Sequence, residues 1–219
     1  MVGYLIGQSK SLPQVTDAAQ SEAAPGQAER RVGIQIGHWK NAELPDEFRN
    51  KLIYSLGGEV NGLTEWELCL DIAEETKSLL EKDGFVVDLI PATVPVDYQA
   101  DAFLSLHTDG NDDTSVRGYK VAPTAWDESI RSSNLSEAIV VALGSEADLP
   151  TSSYISEEMN EYYAFNFTKY DHAVSASTPA VIVELGFLTN RDDRQYLVSN
   201  SDKVAESLRQ GIKAFLDSN

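Results

Sequence analysis

From residue 31 onward, short β-rich apolar runs alternate with helix-length amphipathic segments. That alternation predicts an α/β fold with a largely parallel central sheet. Residues 32–37 (VGIQIG), 85–90 (FVVDLI), 102–106 (AFLSL) and 180–185 (AVIVEL) read as strands, with 119–121 as a shorter one. The last carries the continuous apolar run of a strand covered on both faces. Residues 64–80 read as a helix, with Thr64 as N-cap, Glu67 completing a capping box, and Gly84 suited to the C-terminal turn. Residues 134–143 predict a second helix. Residues 202–216 predict a third, with Val204, Leu208, Ile212 and Phe215 on one side. Residues 41–62 and 144–178 are less regular and are expected to form loops or short elements around a site.

Residues 8–31 are small, polar and aperiodic. They divide the chain into an N-terminal tail or linker (1–30) and one domain (31–219). The opening MVGYLIG has no basic residue before its short apolar stretch, so no signal peptide is expected in it. Nor is there a run of about 18 apolar residues, so no membrane span is expected. Seventeen basic against thirty-five acidic side chains give a formal charge of −18. Such a surface repels phosphate, which argues against nucleic acid as a partner. With one cysteine, Cys69, the chain has neither an intramolecular disulfide nor a thiolate zinc cluster. Any metal site must draw on His, Asp and Glu.

Three strands run into polar groups of that kind. VGIQIG leads to His38, AFLSL to His107, and AVIV to Glu184. Ligand crevices in open α/β sheets lie just outside the carboxyl ends of the strands. A single histidine after a strand is usually an ordinary loop residue, but two of the chain's three histidines stand in equivalent positions. The helix supplies a fourth group. From Glu65, steps of three, four and seven reach Leu68, Cys69 and Ile72, the apolar face; Glu67, Asp71 and Glu74 form the solvated one. Glu65 therefore faces the core, where a lone carboxylate is costly unless paired or metal-bound. Glu67 has its explanation as the capping acid. His38, Glu65 and His107 make a two-histidine, one-carboxylate set of the kind that holds a catalytic zinc with a position left open. Glu184 is then the candidate general base.

The segments GIQIGH (33–38), TEWELCLDIA (64–73), FLSLH (103–107) and PAVIVELGFLTN (179–190) resemble the zinc-dependent N-acetylmuramoyl-L-alanine amidases of the type-3 class. The resemblance implies a three-layer α/β/α sandwich with a mixed sheet, one zinc ion on His38, Glu65 and His107, and Glu184 as catalytic residue. It implies peptidoglycan as substrate, cut between N-acetylmuramic acid and L-alanine, and hence an extracytoplasmic place of action. The family's usual Asp-Pro-Gly-His-Gly turn reads Gln35-Ile36-Gly37-His38-Trp39 here, so the acidic group is missing at Gln35 and a bulky indole follows the histidine. Trp39 is expected to pack. The alternatives are a zinc peptidase or amidohydrolase acting on another amide, and a non-catalytic wall-binding module. The complete set with Glu184 argues against the module, which has no use for a base. His172 is expected to be structural, Tyr162, Tyr163 and Phe165 to be core, and Asp109 to be a turn residue. Asn190 is expected to cap a helix over 191–196, and Cys69 to be an inert core thiol.

Overall fold

A computed structural model describes residues 29–41, 44–127, 129–147, 149–152 and 155–218. Apart from Glu29 and Arg30, the expected tail lies outside the described residues. In chain order the elements are β1 (Arg31–Ile36), α1 (Asp46–Leu52), β2 (Glu59–Val60), β3 (Leu63–Thr64), α2 (Glu65–Lys82), β4 (Val86–Ile90), β5 (Ala102–Asp109), β6 (Lys120–Pro123), α3 (Arg131–Glu146), α4 (Glu157–Asn160), β7 (Ala180–Phe187), α5 (Arg191–Ser199) and α6 (Ser201–Asp217).

The main sheet has the order β4-β1-β5-β7-β6. Every pairing in it is parallel except β6 against β7. The three strands that carry candidate site residues, β1, β5 and β7, are thus immediate neighbours. Side chains alternate between the two faces of a strand. Val32, Ile34, Ile36, Leu104, Leu106, Val181 and Val183 meet α2, α3 and α6 in one apolar core. Phe103, Ala180 and Ile182 face the other way, onto a second cluster with Phe48 and Leu52 of α1, Met159 of α4, and Tyr163 and Phe165. The expected mixed, mostly parallel sheet covered by helices is what forms.

Local signals set the helix that matters most to the site. Thr64 accepts a hydrogen bond from the Glu67 amide, and Glu67 accepts one from the Thr64 amide, so the capping box is closed as read. Gly84, at φ +89, turns the chain out of α2 into β4, a conformation a side chain would strain. Leu68, Cys69 and Ile72 are buried, as is Glu65, whereas Glu67 is exposed. In α6, Val204, Leu208, Ile212 and Phe215 are all buried; each contributes about 1.5–3 kcal/mol of transfer free energy. Asn190 caps α5 through bonds from the Asp192 and Asp193 amides, both 3.0 Å.

Two sequence boundaries need correction. β5 continues to Asp109, so His107 lies inside its strand and not after it, and β7 runs two residues past the expected 180–185 to Phe187 with Glu184 inside it. The reason is that ladder bonds join backbones and continue past the first polar side chain. His38 does lie beyond its strand, two residues after Ile36.

Candidate metal centre

Glu65 is the first residue of α2, and its carboxylate is surrounded by donors. Oε1 lies 2.8 Å from His107 Nδ1 and 3.5 Å from His38 Nε2, and it accepts the Thr108 amide at 3.2 Å. Oε2 accepts the Gly58 amide at 2.9 Å. His38 sits at φ +62, a left-handed conformation that costs a non-glycine residue about 1 kcal/mol. Its Nδ1 is 2.8 Å from the Ser55 carbonyl, which can only accept, so that nitrogen carries the proton and Nε2 is left as a donor atom. Two glycines permit this closeness. A Cβ on Gly37 would lie 2.1 Å from His107 Cε1, and one on Gly57 would lie 2.9 Å from His38 Cγ.

Donor atoms of His38, Glu65 and His107 all lie within 4.8 Å of one another, an arrangement that can hold a metal ion. The donor chemistry fits: two imidazole nitrogens and a carboxylate suit a divalent ion such as zinc. The electrostatics of the metal-free triad point the same way. Burial pushes the His38 imidazole down, against the pull of Glu65. Burial acts to raise the Glu65 carboxyl, but the His107 hydrogen bond and the two imidazoles hold it below the ordinary range. For His107, burial is outweighed by the Glu65 hydrogen bond and the surrounding carboxylates, and its imidazole titrates above its usual value. A proton thus occupies, between Glu65 and His107, the space where a cation fits.

Glu184 is paired with His107 across the β5–β7 ladder and with Lys120 across β7–β6. Its Oε2 is enclosed and, among the described residues, has no hydrogen-bond partner. Burial pushes the carboxyl up to about 7, with His107 and Lys120 opposing and Glu65 and Asp109 adding to the rise. This has a measurable consequence. The folded chain binds this proton more tightly than the unfolded one, where a glutamate titrates near ~4.3. The stability it contributes is therefore fully present below about pH 4 and lost as pH rises through about 7. In thermal unfolding with chelator present, wild type is expected to lose stability relative to Glu184→Gln between about pH 5 and about pH 8, by on the order of 2–3 kcal/mol. Parallel curves for the two proteins contradict the raised carboxyl.

A cavity of about 160 Å³ opens beside the triad, lined by His38, Asn41, Leu52, Ser55, His107, Tyr162 and Tyr163. Of the aromatic cluster, read as core with groove lining as the alternative, Tyr162 lines this cavity, its hydroxyl 2.9 Å from His107 Nε2. Tyr163 and Phe165 are buried as expected. Ser55 and Gly58, which hold His38 and Glu65, went unread; the Gly57–Gly58 pair was the available signal of a close approach. Gln35 is fully buried and ties Ala92 O (2.7 Å) to Ser105 Oγ (2.6 Å), away from the donor cluster. Trp39 packs against the main core, with Lys40 Nζ 4.4 Å from its ring centroid. His172 is remote from the cluster and bonds to the Val94 carbonyl. Asp109 ends β5 and pairs with Lys120. Cys69 is buried.

A family model described as N-acetylmuramoyl-L-alanine amidase matches residues 32–214. The chain belongs to the Amidase_3 family. It is 29% identical over 168 residues to the N-acetylmuramoyl-L-alanine amidase LytC of Bacillus subtilis (strain 168), covering 71% of this chain. The match spans 32% of LytC, about a third of that protein's length. Among solved structures, the fold is similar to the N-acetylmuramoyl-L-alanine amidase AmiC2 of Nostoc punctiforme (TM-score 0.61, 22% identity, 88% of this chain and 99% of that one). It is likewise similar to Ami1 of Mycobacterium smegmatis, with a TM-score of 0.66 at 18% identity over 88% of this chain and 99% of that one. Family membership and sheet topology agree, and the α/β expectation holds.

Proposed function

We propose that the domain formed by residues 31–219 is a zinc-dependent N-acetylmuramoyl-L-alanine amidase. It hydrolyses the amide between N-acetylmuramic acid and the L-alanine of the peptidoglycan stem peptide, outside the cytoplasm where that polymer lies. The observation that carries this reading is the juxtaposition of a three-donor cluster with an unpaired, enclosed carboxylate on the adjacent strand. Membership of the amidase family supports the choice of bond. His38, Glu65 and His107 bind one zinc ion per chain. Zinc, when bound, supplies Lewis acidity that polarises the amide carbonyl and makes water a nucleophile near neutral pH.

The remaining work falls to Glu184. Its Oε2 takes a proton as water attacks the amide carbon, and returns it to the nitrogen as the C–N bond breaks. Products are a peptide-free muramic carboxyl and a stem peptide with a free L-alanine amine. Without metal, burial pushes this carboxyl up to about 7; a bound cation would draw it down again and favour the ionised form that acts as the base. The formal charge of −18 disfavours binding to phosphate polymers such as nucleic acid.

Purified peptidoglycan digested with the zinc-loaded protein is expected to yield whole stem peptides bearing N-terminal L-alanine, read by mass analysis. New reducing sugar ends, or peptides cut internally, would point to a different bond and overturn the assignment.

A further inference from the structure

The cavity beside the triad holds one hydroxyl that the proposed reaction leaves without a role. Tyr162 Oη lies 2.9 Å from His107 Nε2, and the other ring nitrogen, Nδ1, faces Glu65 Oε1 at 2.8 Å. The phenol is held in place by edge-on packing against His107 (centroids 5.3 Å apart) and against Phe165 (5.4 Å), and it tilts onto Tyr163 at 4.5 Å.

An imidazole that gives one nitrogen to a metal carries its proton on the other, and a hydrogen bond to that proton fixes the ring. For His38 the Ser55 carbonyl performs this task. His107 has no carbonyl at Nε2. It has a phenol, which can donate or accept. Geometry at the two ring nitrogens decides the direction. With Nδ1 turned to Glu65 and the space an ion fills, the proton of a metal-bound His107 lies on Nε2, where the Tyr162 oxygen accepts it.

We infer that Tyr162 is a positioning residue that selects which nitrogen His107 offers to the ion: Nε2–H donates to Tyr162 Oη, and Nδ1 presents its lone pair beside Glu65 and His38. The absence of a side chain at Gly37 lets that backbone press on the ring and leaves it little room to swing. This inference rests on the zinc reading above, and its test separates the two.

Long-range proton–nitrogen NMR of the 15N-labelled protein, with and without one equivalent of zinc, reports each imidazole directly. Zinc is expected to shift His107 Nδ1 and His38 Nε2, with the proton of zinc-bound His107 on Nε2. Tyr162→Phe retains the ring and removes only the oxygen. It is expected to raise the zinc Kd, measured by chelator competition, about 10- to 100-fold and to broaden or mix the His107 tautomer signals. A zinc-loaded wild type with the proton on His107 Nδ1 overturns the inference without recourse to any variant, as does Tyr162→Phe with wild-type zinc affinity. If zinc moves neither imidazole, the zinc site itself is wrong and the inference falls with it.

Discussion

Glu184→Gln is expected to release stem peptide at least about 100-fold more slowly than wild type while retaining its zinc. The substitution keeps the shape of the side chain, and Glu184 stands outside the cluster of donors that lie within 4.8 Å of one another. What it removes is the group that takes and returns a proton. An amide oxygen is too weak a base for the first transfer and holds no acid proton for the second. Stem-peptide release should be measured beside zinc content and binding of peptidoglycan fragments, which the variant is expected to keep. A variant as fast as wild type would move the base elsewhere. A zinc-loaded wild type that binds fragments but releases no peptide would give the site to a wall-binding module.

Glu65→Ala and Glu67→Ala, two residues apart on one helix, are expected to behave as opposites. Glu65 receives His107 Nδ1, the Thr108 amide and the Gly58 amide, and lies 3.5 Å from His38 Nε2. Its loss leaves two imidazoles where three donors are needed, so zinc content should fall from about one per chain toward zero and activity with it. His38→Ala and His107→Ala should likewise strip most of the metal. Among the described residues, the side chain of Glu67 hydrogen-bonds to the Thr64 cap. Removing it should leave zinc and turnover intact and cost about 1 kcal/mol of stability, read from denaturant unfolding. Metal retained in Glu65→Ala and lost in Glu67→Ala is the outcome that defeats the assignment.

The two glutamates also mark what was readable in advance. Period and capping act over a single helical turn, so the burial of Glu65 and the exposure of Glu67 followed from neighbours three and four residues away. That β1, β5 and β7 are strands was equally legible, because β-rich apolar runs are local. Strand ends were less so: β5 runs past His107 because a partner strand supplies bonds that no single segment encodes. Helix α1 falls within the stretch expected to form loops or short elements, and its type was hidden for a related reason. At seven residues it is too short to show a period, and it is held through Phe48 and Leu52 by contacts distant in sequence. Tyr162 looked like one aromatic among several; only the path of the loop over His107 separates its hydroxyl from its neighbours. Ser55 acts through its carbonyl, which every residue possesses, so its identity carried no signal.

The rung shared by His107 and Glu184 makes the sheet a ruler for the active centre. Parallel neighbours stand about 4.8 Å apart, a spacing set by peptide geometry and the same in every such sheet. The interval between the two backbones is thereby set by the ladder, and a slide of β7 by one residue along β5 turns the carboxylate to the opposite side of the sheet. Substitutions around the cavity can reshape what enters it, but they have little purchase on that interval. Evolution in such a framework is free to alter the walls while the working distance stays fixed.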